Sequence, residues 1–269
     1  MKRIESRNNP TIKNLLTLRT RRGREEQRRF YFEGVHLLEE YLRFGFVPSA
    51  LFVREDAALR YAALIEKANC EVYEVTESVY DKITEEKAPQ GIFVVSDFLP
   101  NVFCVGNDIG YDVLPEMVGG NSIMLVDLQD NGNVGTVMRT SAALSGKVLL
   151  CGNCADVYSP KTIRATMGAL FSNEVFVCPD PEKTVLALQK GGKRVIASAL
   201  SENASVLGAF DLRCDDCFAV GNEGNGLSAS FISLCDLTAI IPMSGKTESL
   251  NAASAASILL WEAKRCSAI

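Results

Sequence analysis

Six short apolar runs constrain the second half of the chain: 123–126, 148–151, 175–178, 195–199, 218–220 and 239–241, with helical patterns between most of them. Each run is too short for a buried helix and lacks the polar alternation of a half-exposed strand. Such runs are strands covered on both faces, and their alternation with helices predicts a mostly parallel sheet. Residues 1–96 read as a smaller α/β domain. A helix over 9–22 starts at Asn9 and Pro10 and carries Ile12, Leu15, Leu16 and Leu18. Strands follow at 30–32, 50–53, 71–75 and 91–95, with helices at 35–44, 56–68 and 77–83. Residues 97–121 hold Pro100, Gly106, Gly110, Pro115, Gly119 and Gly120 without a sustained period, and read as a linker. The predicted domains are therefore 1–96, with the linker at 97–121, and 122–269. A chain of 269 residues is long enough for both.

Composition narrows the class. With 47% hydrophobic and 23% charged residues, the chain is neither disordered nor fibrous. No apolar run approaches the roughly 18 residues of a membrane span. Met1-Lys2-Arg3-Ile4-Glu5 lacks the apolar core of a signal peptide, so a cytoplasmic protein away from the membrane is expected. Nine scattered cysteines are expected to be reduced thiols, and the lone His36 leaves little room for histidine-based sites. Cys151/Cys154 and Cys214/Cys217 have C-x-x-C spacing. The pairs lie far apart without companion ligands, so free thiols are expected and no metal.

Charge is uneven. Residues 1–30 hold ten basic and three acidic side chains, a net +7, so the remainder carries −12 of the overall −5. A basic segment on an acidic chain is the footprint of a polyanion ligand, although a solvated helix face has the same composition. Arg21, Arg22, Arg24, Arg28 and Arg29 are the candidate polyanion contacts.

Three polar, glycine-containing turns fall at predicted strand ends of the second domain: 130–135, 221–227 and 241–251. Ligands bind at that edge of an open α/β sheet. Ser244-Gly245-Lys246-Thr247 ends like a phosphate loop, but Ile240 stands where that motif needs its first glycine. Gly221, Gly224 and Gly226 reverse the order of the dinucleotide fingerprint.

Together the turns resemble the SpoU (TrmH-type) branch of the SPOUT RNA methyltransferases. Asn133-Val134-Gly135-Thr136-Val137-Met138-Arg139-Thr140 matches the first family motif, and Gly221-Asn222-Glu223-Gly224-Asn225-Gly226-Leu227-Ser228 the second. Ile241-Pro242-Met243 with Glu248-Ser249-Leu250-Asn251 matches the third. Tyr158-Ser159-Pro160-Lys161 and Arg164-Ala165-Thr166-Met167-Gly168-Ala169 resemble a further family stretch. Asn131 and Ala252-Ala253 depart from the commoner proline and Val-Ser. Residues 1–96 resemble, more loosely, the family's ribosomal-protein-like substrate-binding domain.

The resemblance implies a trefoil-knotted C-terminal α/β domain with helices on both faces of a parallel sheet. It also implies dimerisation through that domain, S-adenosylmethionine as cofactor and methylation of a ribose 2′-hydroxyl. The expected RNA is structured, ribosomal in preference to transfer RNA. Leu200, Gly221, Ile241, Met243 and Leu250 become the candidate cofactor pocket, and Asn133, Arg139, Glu223, Ser249 and Asn251 the candidate catalytic residues. Arginine stays protonated and offers no lone pair, so Arg139 is expected to grip a phosphate and polarise the hydroxyl. Glu223 is a candidate proton acceptor or anchor. Ser249 and Asn251 open a predicted helix over 248–264, where a capping role competes with a catalytic one. The rival function is an RNA-binding or ribosome-assembly factor that keeps the fold without catalysis.

Overall fold

A computed structural model describes residues 1–201, 203–244 and 249–267. The chain divides into two compact units, Met1–Leu99 with Asp156–Phe171, and Pro100–Ala155 with Ser172–Ile269.

The first unit begins with β1 (Lys2–Ile4), α1 (Pro10–Thr17), α2 (Arg21–Gln27), β2 (Arg29–Glu33) and α3 (Val35–Arg43). It continues through β3 (Ala50–Arg54), α4 (Glu55–Arg60), α5 (Ala62–Ala68), β4 (Glu71–Val75), α6 (Glu77–Ile83) and β5 (Ile92–Asp97). Its sheet runs β1-β4-β3-β5-β2, with β5 antiparallel to both β2 and β3. Ile12, Leu15 and Leu18 of the α1 segment join Tyr31, Phe52, Val79, Tyr80 and Phe93 in one core.

The single helix predicted over 9–22 is two. Thr20 interrupts it and caps α2, its hydroxyl accepting from Gly23 N at 3.0 Å. Only glycine fits there, since a Cβ on Gly23 would lie 2.0 Å from the Thr17 carbonyl oxygen.

The second unit opens inside the predicted linker. β6 (Val102–Cys104) pairs with a later strand and α7 (Leu114–Val118) buries Leu114 and Val118 in the core. A three-residue edge strand and a five-residue helix are too short to register as a period, which corrects the linker reading. β7 (Ser122–Val126), α8 (Asn131–Ala143) and β8 (Lys147–Cys151) follow. The chain then returns to the first unit for α9 (Pro160–Thr166) and a 3-10 turn at Ala169–Phe171. The continuous 122–269 domain read from the sequence is thus interrupted.

β9 (Val175–Cys178), α10 (Pro181–Lys190), β10 (Val195–Ser198), β11 (Ser205–Val206), β12 (Cys217–Val220), α11 (Ala229–Leu234), β13 (Leu237–Ile240) and α12 (Ala252–Ser267) complete the unit. The sheet order is β11-β13-β10-β12-β7-β8-β9-β6, with the strand pairs parallel. Met124, Leu149, Phe176 and Ala219 share a core with α7, α10 and α11. Ile123, Leu125, Val148 and Leu150 alternate with them and are equally buried. α8 and α12 pack on each other and on β7. Helices therefore cover both faces, as the continuous apolar runs require. The last helix begins at Ala252, whereas the predicted start, Glu248, lies outside the described residues, as do Gly245, Lys246 and Thr247. No described helix is long and apolar enough to cross a membrane.

Candidate active site

The three motif turns leave the C-terminal ends of β7, β12 and β13. In a parallel sheet all these ends lie along one edge, so turns distant in sequence become neighbours. Asp130 caps α8, its Oδ1 accepting from Asn133 N at 2.7 Å, which fixes Asn133 in the first turn of the helix. The Asn133 side chain then bridges the other two motifs. Its Nδ2 donates to Glu223 Oε1 at 2.8 Å, and its Oδ1 accepts from Asn251 Nδ2 at 3.1 Å. Asn251 also caps α12, accepting from Ala253 N at 2.9 Å and Ser254 N at 3.2 Å. The capping and networking roles of Asn251 are thus held together. With its oxygen committed to the helix, its amide must donate, and Asn133 must in turn donate to the carboxylate.

Glu223 is exposed and uses only Oε1 within this network. Arg139 is exposed on α8, two turns from Asn133, and its guanidinium has no partner among the described residues. Ser249 is also exposed. The structure therefore joins Asn133, Glu223 and Asn251, while Arg139 and Ser249 stand outside that hydrogen-bonded set. A half-open carboxylate and a free guanidinium are complementary tools, one to accept a proton and the other to hold an anion.

The predicted pocket residues follow the same edge. Leu200, Gly221 and Ile241 lie just beyond β10, β12 and β13, which are adjacent in the sheet. Leu200 is 63% exposed and Leu250 39%, apolar side chains left without cover at the strand ends. Met243 and Ile241 are half-buried. Gly221 is buried where the second motif folds back on itself, and a Cβ there would lie 2.3 Å from the Gly226 carbonyl carbon.

Two organising residues escaped the sequence reading. Asp127 follows β7 in the left-handed region at φ 54°. Its Oδ1 accepts from Asn153 N at 2.7 Å, and its carbonyl accepts from Asn222 Nδ2 at 2.9 Å. Asn222 Oδ1 accepts from Gly224 N at 2.8 Å, so this amide braces the turn that presents Glu223. Asp127 thereby ties the turn after β8 to the second motif. The available signal was a polar residue directly after an apolar run, the usual place for a left-handed Asp or Asn.

The candidate RNA contacts require a correction. Arg24 is 4% exposed. Its Nη1 donates to the carbonyls of Leu18 at 2.7 Å and Arg19 at 3.1 Å, and its Nη2 pairs with Asp156. It is a structural cation of the first unit and unavailable to a phosphate, because Gly23 and the turn before it fold α2 inward. Arg21 and Arg22 are exposed but pair with Glu25 and Glu26 one turn on, at 2.8 and 2.6 Å. Arg29 pairs with Asp97 at 2.9 Å, and the Arg28 guanidinium lies 5.2 Å from the Phe98 ring centroid.

All nine cysteines are free. Cys151 and Cys217 are buried in strands, Cys214 is exposed, and Cys154 donates to the carbonyl of Leu125 at 3.2 Å. Burial pushes the Cys154 thiol up to about 12 and that of Cys217 to about 11. No group of three or more metal-ligating side chains occurs among the described residues.

Comparison with known proteins places this geometry. Residues 120–261 match the model of the SpoU rRNA Methylase family, and residues 9–94 that of the MRM3-like substrate binding domain. The chain is 31% identical over 267 residues to the 23S rRNA (guanosine(2553)-2'-O)-methyltransferase RlmP of Bacillus subtilis (strain 168), covering 97% of this chain and 98% of that protein. It is 37% identical over 139 residues to a 23S rRNA (uridine(2479)-2'-O)-methyltransferase of Streptomyces viridochromogenes, covering 50% and 48%. The crystal structure of an AdoMet-bound rRNA methyltransferase from Sinorhizobium meliloti superposes with a TM-score of 0.81 at 28% identity, covering 98% of this chain and 97% of that one.

Proposed function

Because the chain belongs to the SpoU rRNA methylase family, we propose that it transfers a methyl group from S-adenosylmethionine to a ribose 2′-hydroxyl of ribosomal RNA. The observation that carries this reading is the Glu223–Asn133–Asn251 network, which draws the three motifs into one site, with Arg139 on the same helix as Asn133 and without a partner among the described residues.

The pocket residues fit the cofactor. Leu200 and Leu250 offer bare apolar surface to an adenine ring and an aliphatic chain, and the Gly221 turn, where no Cβ fits, brings backbone donors and acceptors close. Met243 and Ile241 complete that lining. When bound, S-adenosylmethionine supplies an electrophilic methyl group with its leaving group. The work of the chain is then alignment, a large share of the acceleration in any two-substrate transfer. Arg139 holds the phosphate beside the target ribose and polarises the 2′-hydroxyl. The open oxygen of Glu223 receives the hydroxyl proton while Asn133 keeps the carboxylate oriented. Ser249 contacts the ribose, and Asn251 fixes the amide chain.

The first unit binds substrate, a role supported by its match to a substrate-binding family model. The relatives named for 23S rRNA favour ribosomal over transfer RNA. The reading includes a trefoil knot and a homodimer through the second unit. Ile258 at 39% exposure and Trp261 at 57% on α12 support the dimer, since a bare tryptophan is commoner at interfaces than on monomers. The free cysteines support a cytoplasmic location.

Mapping 2′-O-methylation across total RNA from cells with and without the protein tests the reading. One ribose methylation of the large ribosomal RNA should disappear, and the purified protein should restore it. Saturable cofactor binding without RNA-dependent methyl transfer would instead identify a non-catalytic RNA-binding factor.

A further inference from the structure

The turn at 221–226 is asked to do two things at once. On the functional reading above, Gly221 serves the cofactor and Glu223 receives the hydroxyl proton. Three of its six residues are glycine, at 221, 224 and 226. Glycine restricts the backbone least, so such a turn holds one shape only under restraint. Some restraint is backbone, since Gly226 N donates to the Asn222 carbonyl at 2.9 Å and closes the turn. A second restraint is the half-buried side chain of Asn222. Its Oδ1 accepts from Gly224 N at 2.8 Å within the turn, and its Nδ2 donates to the Asp127 carbonyl at 2.9 Å outside it. Glu223 is thus flanked by two points that one amide holds.

The outside anchor is itself fixed. Asp127 N donates to the Cys151 carbonyl at 3.0 Å, and Asp127 Oδ1 accepts from Asn153 N at 2.7 Å. A Cβ on Gly152 would lie 2.4 Å from that Oδ1, so the turn after β8 packs directly on the carboxylate. Asn222 therefore ties a pliant turn to a braced strand end. The Glu223 carboxylate is held separately, through its bond from Asn133 Nδ2. Asn133 sets the orientation of the carboxylate, and Asn222 sets where its backbone stands. We infer that Asn222 is a positioning residue for methyl transfer, tethering the second-motif turn to the Asp127 carbonyl so that the open oxygen of Glu223 meets the 2′-hydroxyl. The inference rests on the reading of Glu223 as proton acceptor.

The test measures single-turnover methyl transfer by the full-length protein at saturating substrate. Its probes are methyl-labelled S-adenosylmethionine and large ribosomal RNA from cells that lack the protein. Glu223→Gln keeps an acceptor for Asn133 but takes no proton, and should slow transfer about 100- to 10,000-fold. Asn222→Ala should slow it about 10- to 100-fold, the scale for a reacting group displaced by about 1 Å. Cofactor affinity and the half-saturating RNA concentration should stay within about twofold, because the backbone bond that closes the turn survives. Asn222→Ser keeps a local acceptor for Gly224 N but is too short to reach Asp127, so it should be as slow as the alanine variant. The decisive variant combines Asn222→Ala with Glu223→Gln. A residue that acts through Glu223 loses its effect once the carboxylate is gone, so the pair should match Glu223→Gln within about twofold. Multiplying losses, wild-type rates for either single Asn222 variant, or a loss confined to cofactor or RNA binding would overturn the inference and leave the functional reading standing. Wild-type turnover by Glu223→Gln would remove the proton-acceptor role and the inference with it.

Discussion

The two units treat their polar side chains in opposite ways. In the first, Arg24 is buried on Asp156, Arg21 and Arg22 pair with glutamates a turn away, and Arg29 pairs with Asp97. In the second, the groups at the sheet edge are left incomplete. Arg139 has no partner among the described residues, Glu223 commits one oxygen, and Leu200 and Leu250 are uncovered. Self-satisfied groups hold a structure together, whereas groups left open await something else. A charge count cannot make that distinction, because Arg24 and Arg139 contribute equally to it.

The largest consequence concerns Arg139. Arg139→Ala removes a donor that the fold does not use, so stability should change by less than about 0.5 kcal/mol. Methyl transfer should fall about 100- to 1000-fold, as on deletion of a donor aimed at developing charge. Cofactor affinity by calorimetry should stay within about twofold. Near-normal turnover would place Arg139 among the self-satisfied residues after all. Loss of cofactor binding in parallel with activity would give it a structural role.

Arg24 should behave in the opposite sense. Arg24→Ala leaves the Asp156 carboxylate without its cation and two carbonyls without their donor. Breaking a buried pair of this kind costs about 3–5 kcal/mol. Urea unfolding followed by a first-unit probe should show the loss, while the variant, where folded, binds the cofactor normally. The double substitution Arg24→Met with Asp156→Leu should recover much of the stability, because removing both partners strands no charge. A single variant as stable as wild type would mean that Arg24 is exposed in solution and available to RNA.

The same contrast explains what was legible in the sequence. The strands of the second unit were readable because burial on both faces imposes continuous apolar runs, and 175–178 agrees to the residue with β9. The pieces that escaped were β1, β6 and β11, edge strands of two or three residues whose pairing is set by distant partners. The interruption of the second unit at Asp156 was equally hidden, since α9 has the pattern of any short helix and only tertiary contacts assign it to the first unit. At the site, the motif residues were visible one by one. Their joining was not, because the hydrogen bonds from Asn133 to Glu223 and Asn251 span 90 and 118 residues. Asp127 ties the turns together through its carboxylate and its carbonyl, and a polar residue after an apolar run marks the place without naming those partners.

The smallest expected effect, and the sharpest probe of the contrast, is the salt dependence of RNA binding. With Arg24 removed from the candidates, Arg21, Arg22, Arg28 and Arg29 remain exposed. If all four met phosphates freely, neutralising them would reduce the slope of log K against log salt by about 3.6, at roughly 0.9 per phosphate contact. Arg21, Arg22 and Arg29 are already paired with carboxylates, and an arginine leaving an intramolecular partner for a phosphate gains less than a free one. Exposed pairs of this kind are worth only about 0.2–1 kcal/mol, so they loosen contact with RNA without forbidding it. The quadruple substitution to glutamine should therefore reduce the slope by about one to two, with cofactor binding unchanged. Titrating wild type and variant with the same RNA across a salt series measures it. Parallel slopes would make the basic segment a self-neutralised face, leaving RNA capture to other surfaces. A drop close to 3.6 would show that the carboxylate pairs open completely on binding, and the division between self-satisfied and waiting groups would then no longer separate the two units.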